Sequence, residues 1–293
     1  MKDKAIFLLF MTFITLVGCN KRNQSDDIIS EKSSIELTYY DQGSGIEITE
    51  NKLEIIYHED YENYKVIESY DIVQETKNNL LYITFDYDGS FLDSPSRTPT
   101  EYPHGRITLL IIYTLPYAPP GWGGDEQLIM YDKNNEYVYS IYSGRMNIKT
   151  WDTYISATSE LKKGSVVYEA KSLWDYRTLK PWVEGVKGSG VGEKIRIEYD
   201  AIFRFHGILL SNGFIDFNKP HLFLSNNRVK RIKVTFGDTE AFEEFDIEDN
   251  PNFQVIFFEG GENVKFITME ILDTYKGSRY DDTCINNIIT LAY

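Results

Sequence analysis

The sequence predicts an all-β protein in two parts: an N-terminal β-rich domain of sandwich or barrel type over residues 35–148, and a second β-rich domain over residues 153–293. Three observations predict it. The chain holds 22 Tyr, 17 Phe and 4 Trp, an aromatic share of 15%, and these residue types suit pleated, half-buried surfaces. Short runs of Ile, Tyr, Thr and Val alternate with Gly, Asn and Asp clusters, as in strands joined by tight turns. No stretch keeps a helical period of apolar residues over several turns. The length of 293 residues suits two domains of ordinary size, and the 42% hydrophobic and 26% charged shares are those of a folded protein.

Before the first strand the chain reads as an address. Lys2 and Lys4 precede an apolar run from Ala5 to Val17, too short for the ~20 residues of a membrane span but suited to a signal-peptide core. The run ends in Leu16-Val17-Gly18-Cys19. This resembles the lipobox of bacterial lipoproteins, which implies a signal peptide over residues 1–18 and acyl chains, palmitate among them, on Cys19. Two or more chains hold a protein stably at a membrane where one alone is marginal. Residues 19–34 are polar and read as a flexible tether. The expected location is the bacterial cell envelope, with the outer membrane or cell surface favoured by Asp26-Asp27 behind the lipidated Cys. With Cys19 acylated, only Cys284 remains, so no intramolecular disulfide is expected.

The elements of the first domain follow in order. KLEIIYHE (52–59), NLLYITFDYDG (79–89), RITLLIIYTLPYA (106–118), QLIMYDK (127–133) and EYVYSIYSG (136–144) are strand-like. Turn signals stand between them at 42–45, Asn78-Asn79, Asp88-Gly89-Ser90 and Asn134-Asn135. Two long loops are expected, one from Ser90 to Arg106 with three prolines, the other from Leu115 to Glu126 with Trp122 among glycines.

The second domain carries a resemblance. Its opening, ISATSELKKGSVVYEAKSLWDYRTLKPWVEGVKGSGVGEKIRIEY (155–199), is followed by GILLSNGF (207–214), NNRVKRIKV (226–234) and TYKGSRYDDTCINNI (274–288). Together these resemble the discoidin-like, galactose-binding-like jelly roll known as the translocation domain of bacterial NAD glycohydrolases. Tyr176 stands where that family often has Gly, and Phe214 where it often has Tyr. The resemblance implies a jelly roll that presents ligands on the loops at one end of its sandwich. Those loops hold Tyr176 and Arg177, the stretch from Phe214 to Asn218, and the stretch with Lys276, Arg279, Tyr280, Asp281 and Asp282. Their mixture of aromatic, planar donor and carboxylate suits a sugar or a peptide. Rolls of this superfamily often hold a structural calcium ion, so one is possible here; no other cofactor is implied, and the oxygen-rich spacing of a dedicated calcium loop is absent.

Residue by residue, Trp174 and Trp182 read as plugs at the end of a sandwich. The Gly188-x-Gly190-x-Gly192 series precedes a strand instead of a helix, so it reads as a loop needing positive φ and not as a dinucleotide site. In NNRVKRIKV, Val229, Ile232 and Val234 interleave with basic residues, with one irregularity that a bulge absorbs. The formal net charge of −15 opposes nucleic acid as the main partner and broad adhesion to anionic lipid. The four His share no motif with one another or with Cys, and HExxH, GxSxG and GxxxxGK[ST] are absent. The sequence therefore points to a recognition module for glycan or a partner protein. The alternative is a hydrolase whose catalytic residues lie in the first domain, with the roll as targeting module.

Overall fold

The computed structural model describes residues 35–41, 44–58, 64–92, 102–115, 126–143 and 153–292. The signal segment 1–18, Cys19, the tether 19–34, the Trp122 loop (116–125) and the expected boundary at 148–153, save Thr153, lie outside the described residues. Residues 34–293 form one compact unit. The chain is nearly all β, as expected.

The N-terminal half contains two antiparallel meanders. Strands β1 (Leu37–Asp41), β2 (Ser44–Ile48), β3 (Lys52–His58) and β4 (Tyr64–Asp71) pair in chain order, as do β5 (Val73–Lys77), β6 (Leu80–Tyr87), β7 (Gly105–Tyr113), β8 (Glu126–Tyr131) and β9 (Tyr137–Ser143). Asn78 and Asn79, at φ 50° and 68°, make the two-residue turn between β5 and β6, a geometry Asn tolerates. Gly105, expected in the long loop, instead opens β7 and pairs with Tyr87.

Alternation along the second meander sends neighbours to opposite faces. Leu81, Ile83, Phe85, Leu109, Ile111, Leu128 and Met130 join Ile46, Ile48, Leu53 and Ile55 of the first sheet in one core. Leu80, Tyr82, Leu110, Ile112, Ile129 and Tyr131 turn the other way and pack on Leu179, Leu209, Ile215, Phe253, Ile289 and Leu291 of the C-terminal half. The β5–β9 sheet is a middle layer, apolar on both faces. The end of its central strand is also stitched by backbone: Phe253 N–H donates to the Tyr113 carbonyl at 2.9 Å, and Leu115 N–H to the Phe253 carbonyl at 2.9 Å.

The C-terminal half comprises β10 (Thr153–Ala157), the short hairpin β11 (Lys162–Lys163) and β12 (Val166–Val167), β13 (Trp182–Val183), β14 (Lys194–Asn212), β15 (Asn227–Phe236), β16 (Phe242–Asp246), β17 (Gln254–Tyr275) and β18 (Thr283–Ala292). A 3₁₀ turn at Ala170–Trp174 and the single-turn helix α1 (His221–Ser225) interrupt the strands. The pairings β14–β17, β17–β15, β15–β18 and β18–β14 return on themselves. The long β14 manages this through register shifts after Glu198 and Phe205, which bend it so that its two ends serve different partners. The expected irregularity in β15 is a pair of register shifts around Arg231.

The closed strands enclose Trp182, Ile195, Ile197, Phe205, Ile208, Val229, Ile232, Ile267 and Ile285. Trp182 is fully buried, its Nε1 donating to the Ser159 carbonyl at 3.0 Å; an indole this deep requires such a partner. Trp174 is only half-buried at the end of the 3₁₀ turn. Gly188, Gly190 and Gly192 all adopt positive φ. Among the described residues no helix is long and apolar enough to cross a membrane.

Candidate functional site

At one end of the closed strands a groove of about 1040 Å³ opens between the β11–β12 hairpin, the stretch from Tyr168 to Val183, the stretch after β14 and the loop before β18. Its floor is set by local sequence. Leu161 N–H donates to the Val183 carbonyl and Tyr168 N–H to the Leu161 carbonyl, which pins the hairpin to β13. The Ala170 N–H donates to Glu160 Oε1 at 2.8 Å and starts the 3₁₀ turn, whose Leu173 drops into the core. Gly213, at φ 79°, swings the chain out of β14. Ile215 then anchors in the middle layer, leaving Phe214 and Asp216 on the groove wall. Asp216 Oδ1 accepts the N–H groups of Asn218 and Lys219, each at 2.9 Å, an Asx turn that holds this wall.

The loop before β18 is held by backbone. Ser278 N–H donates to the Leu224 carbonyl, and the Arg279 and Tyr280 N–H groups donate to the Ser225 carbonyl. Asn227 Oδ1 accepts the Gly277 N–H at 2.7 Å and its Nδ2 donates to the Asp281 carbonyl at 2.5 Å. A side chain at Gly277 would put its Cβ 2.5 Å from the Ser225 carbonyl, so only glycine allows this approach. The end of α1 is fixed in turn by the buried Arg228, whose guanidinium grips Asp249 in two bonds of 2.8 and 2.7 Å and donates to the Asn226 carbonyl at 2.7 Å. A loop held this way presents Tyr280 with little freedom.

Three aromatic rings meet the groove. Tyr168 and Phe214 pack edge to face with centroids 5.7 Å apart, and Lys163 Nζ stands 5.9 Å from the Tyr280 ring. Glu169 is paired with Lys171 at 2.8 Å and Asp175 with Arg177 at 2.7 Å. Lys163, Lys180 and Lys219, also on the wall, form no ion pair among the described residues. Aromatic faces beside uncommitted donors and the carboxylates of Asp216 and Asp282 can take an apolar ligand face and a rim of hydroxyls together. Beneath the groove, the Cys284 thiol is fully buried and pushed well up by that burial, which makes it inert. Among the described residues no group of three or more His, Cys, Asp or Glu side chains is placed to hold a metal ion.

The residues expected from the sequence divide into three groups. Phe214 and Tyr280 line the groove. Lys276, Arg279 and Asp281 are exposed on the same loop but outside the groove wall, with the Arg279 guanidinium 5.2 Å from the Tyr280 ring. Tyr176, Arg177 and Asn218 face the N-terminal half. Tyr176 packs edge to face on Tyr137 at 6.3 Å and its carbonyl accepts the Tyr131 hydroxyl at 2.7 Å. The Arg177 carbonyl accepts the Tyr137 N–H, and Asn218 Nδ2 donates to the Lys133 carbonyl at 2.7 Å. Sequence reasoning did not single out Lys163, Tyr168, Lys180 or Lys219. Of these, only the KKGSVV turn with its paired lysines carries a signal, an exposed hairpin with more charge than a connection needs.

Residues 147–291 match the family model of the NAD glycohydrolase translocation F5/8 type C domain. The C-terminal half is a domain of that family. No curated protein matches the chain. Among solved structures, the chain is similar to the family 32 CBM of C. perfringens NanJ in complex with galactose, at 15% identity and TM-score 0.37, over 50% of this chain and 97% of that one. It is also similar to the C-terminal domain of a chitobiase from Bacteroides fragilis, at 16% identity and TM-score 0.37, over 49% of this chain and 95% of that one. The F5/8 type C domain accounts for the closed strands and the groove; the β1–β9 meanders lie outside the match.

Proposed function

We propose that this chain is a lipid-anchored envelope protein that recognises a glycan through the groove of its F5/8 type C domain. The observation that carries the reading is the meeting of Tyr168, Phe214 and Tyr280 with Lys163, Lys180 and Lys219, which form no ion pair among the described residues, in one groove of about 1040 Å³. A pyranose offers an apolar face of C–H groups and a rim of hydroxyls, which need aromatic surface and convergent donors and acceptors respectively. Anchoring rests on Lys2, Lys4 and the Leu16-Val17-Gly18-Cys19 string, and display at the outer membrane or cell surface goes with it. A glycan array probed with the chain from residue 20, followed by calorimetry on the best glycan, tests recognition. Phe214→Ala and Tyr280→Ala should each weaken binding by at least ~10-fold, as loss of an aromatic hot spot does, while the melt stays cooperative. Absence of binding to any glycan, or full binding by both variants, would refute it. Cys19→Ser should abolish detergent-phase partitioning of the full chain, and unchanged partitioning would remove the anchor.

A further inference from the structure

We infer that the β8–β9 turn, residues 132–136, positions both walls of the groove, so that the recognition site belongs to the two halves together. The inference rests on the groove being the site of recognition. Asn135 is the centre of it. Its φ of 63° turns its carbonyl and its side chain toward different loops of the F5/8 type C domain. The carbonyl accepts the Leu179 N–H at 2.9 Å, and Oδ1 accepts the Phe217 N–H at 2.7 Å. Leu179 sits between Thr178 and Lys180 on one wall, and Phe217 follows Asp216 on the other. One residue of the N-terminal half therefore ties together two wall segments that the closed strands alone leave unconnected in sequence.

The neighbours of Asn135 reinforce both ties. On the first wall, Glu136 forms an isolated bridge with Thr178, and the Tyr131 hydroxyl donates to the Tyr176 carbonyl. On the second, the Tyr82 hydroxyl donates to the Phe217 carbonyl at 2.9 Å, and Asn218 donates to the Lys133 carbonyl. The turn itself is preformed. Asp132 Oδ1 accepts the N–H groups of Asn134 and Glu136, and Asp132 exchanges backbone bonds with Asn135 and Glu136. A site whose walls are fixed before the ligand arrives avoids the ordering cost of binding. Tyr176, Arg177 and Asn218 thus act on the ligand through the placement of their neighbours.

If the turn were only glue between halves, removing one of its bonds would loosen the shared layer generally and leave affinity unchanged. Asn135→Gly separates the two roles, because glycine keeps the left-handed backbone and the bond to Leu179 while deleting Oδ1; Asn135→Asp restores an acceptor. Hydrogen exchange on the full chain is followed over residues 175–180 and 214–219, with β15 as the distant reference. Calorimetry uses the glycan selected by the wild type on the array. Asn135→Gly should speed exchange across 214–219 by about tenfold, the size of one lost bond to a backbone amide, leave β15 unchanged and weaken binding by about tenfold, with Asn135→Asp recovering both. Unchanged exchange at 214–219, a rise that spreads equally to β15, or loosened walls with undiminished affinity would each overturn the inference. If the wild type binds no glycan, the recognition reading fails by itself, and exchange at 214–219 still decides whether Asn135 holds the wall.

Discussion

The two meanders of the N-terminal half are built from similar residues, yet solvent treats them differently. In the β1–β4 sheet Leu53 and Ile55 are buried in the core, yet Tyr57, Val66 and Ile67 are 50%, 38% and 53% exposed. In the β5–β9 sheet the central strands have no open face: Leu109 and Ile111 enter one core while Leu110 and Ile112 enter another. A strand buried on both faces needs a body on each side of it. The F5/8 type C domain is the body on the second side. The difference teaches that the two halves share a layer, with no linker needed to explain their association.

The largest expected effect breaks that layer. Leu110→Ala and Ile111→Ala each remove a fully buried side chain and should each cost ~2–5 kcal/mol in urea unfolding. Although they point into different cores, both should lower the midpoint of the same transition. Two transitions responding separately would mean that the cores are independent. Tyr131→Phe is next. It strips the Tyr176 carbonyl of a partner inside the shared layer and should cost ~1–3 kcal/mol, the usual penalty for a buried polar group left unpaired; a cost near zero would show the junction to be loose.

A smaller effect distinguishes the halves by pH. Burial pushes the Glu68 carboxyl up, but hydrogen bonds from Tyr70, from the Ser90 amide and hydroxyl, and from the Phe91 amide outweigh it and hold the group below its ordinary 4.5. Its folded value is therefore below its unfolded one, so its contribution is present above pH 4.5 and is lost as pH falls through the folded value. Glu184, buried in the F5/8 type C domain, is shifted upward by that burial against bonds from the Val186 and Thr283 amides. Its ionised form costs stability above the raised value, and the cost is relieved as pH falls through it. Stability measured between pH 7 and 3.5 should lose part of its acid sensitivity in Glu68→Gln and gain acid sensitivity in Glu184→Gln; the same direction in both would contradict the assignment. The smallest effect belongs to Ile67→Ala, at an exposed position of β4, within ~0.5 kcal/mol of wild type.

Much of the fold was legible in the residues themselves. The strands β6 and β7, the Asn78-Asn79 turn, the positive-φ glycines before β14 and the disturbance in β15 all follow from local patterns, which need no partner to be read. RITLLIIY was legible as a strand, but its burial on both faces depends on elements distant in sequence. Phe214 and Tyr280 were legible as aromatics on loops. For Tyr176, Arg177 and Asn218 the bonds to the N-terminal half were not legible, because an aromatic, a carbonyl-bearing turn and an amide suit a second half of the same chain as well as a ligand. Their partners, Tyr131, Lys133 and Tyr137, lie far off in sequence. Lys163 and Tyr168 sit on a hairpin too short to show a period.

Native-state hydrogen exchange across a urea series tests the shared layer most directly, since it reads the opening free energy strand by strand. Ile111 of β7, Leu209 of β14 and Ile289 of β18 all have buried side chains, the last two in the common core that Ile111's neighbours Leu110 and Ile112 enter. Their amides should merge into one global opening with one denaturant slope. An Ile111 amide that opens at lower free energy, with its own slope, while Leu209 and Ile289 stay protected would show that the meanders and the F5/8 type C domain fold separately, and the middle sheet would then be a contact between two bodies.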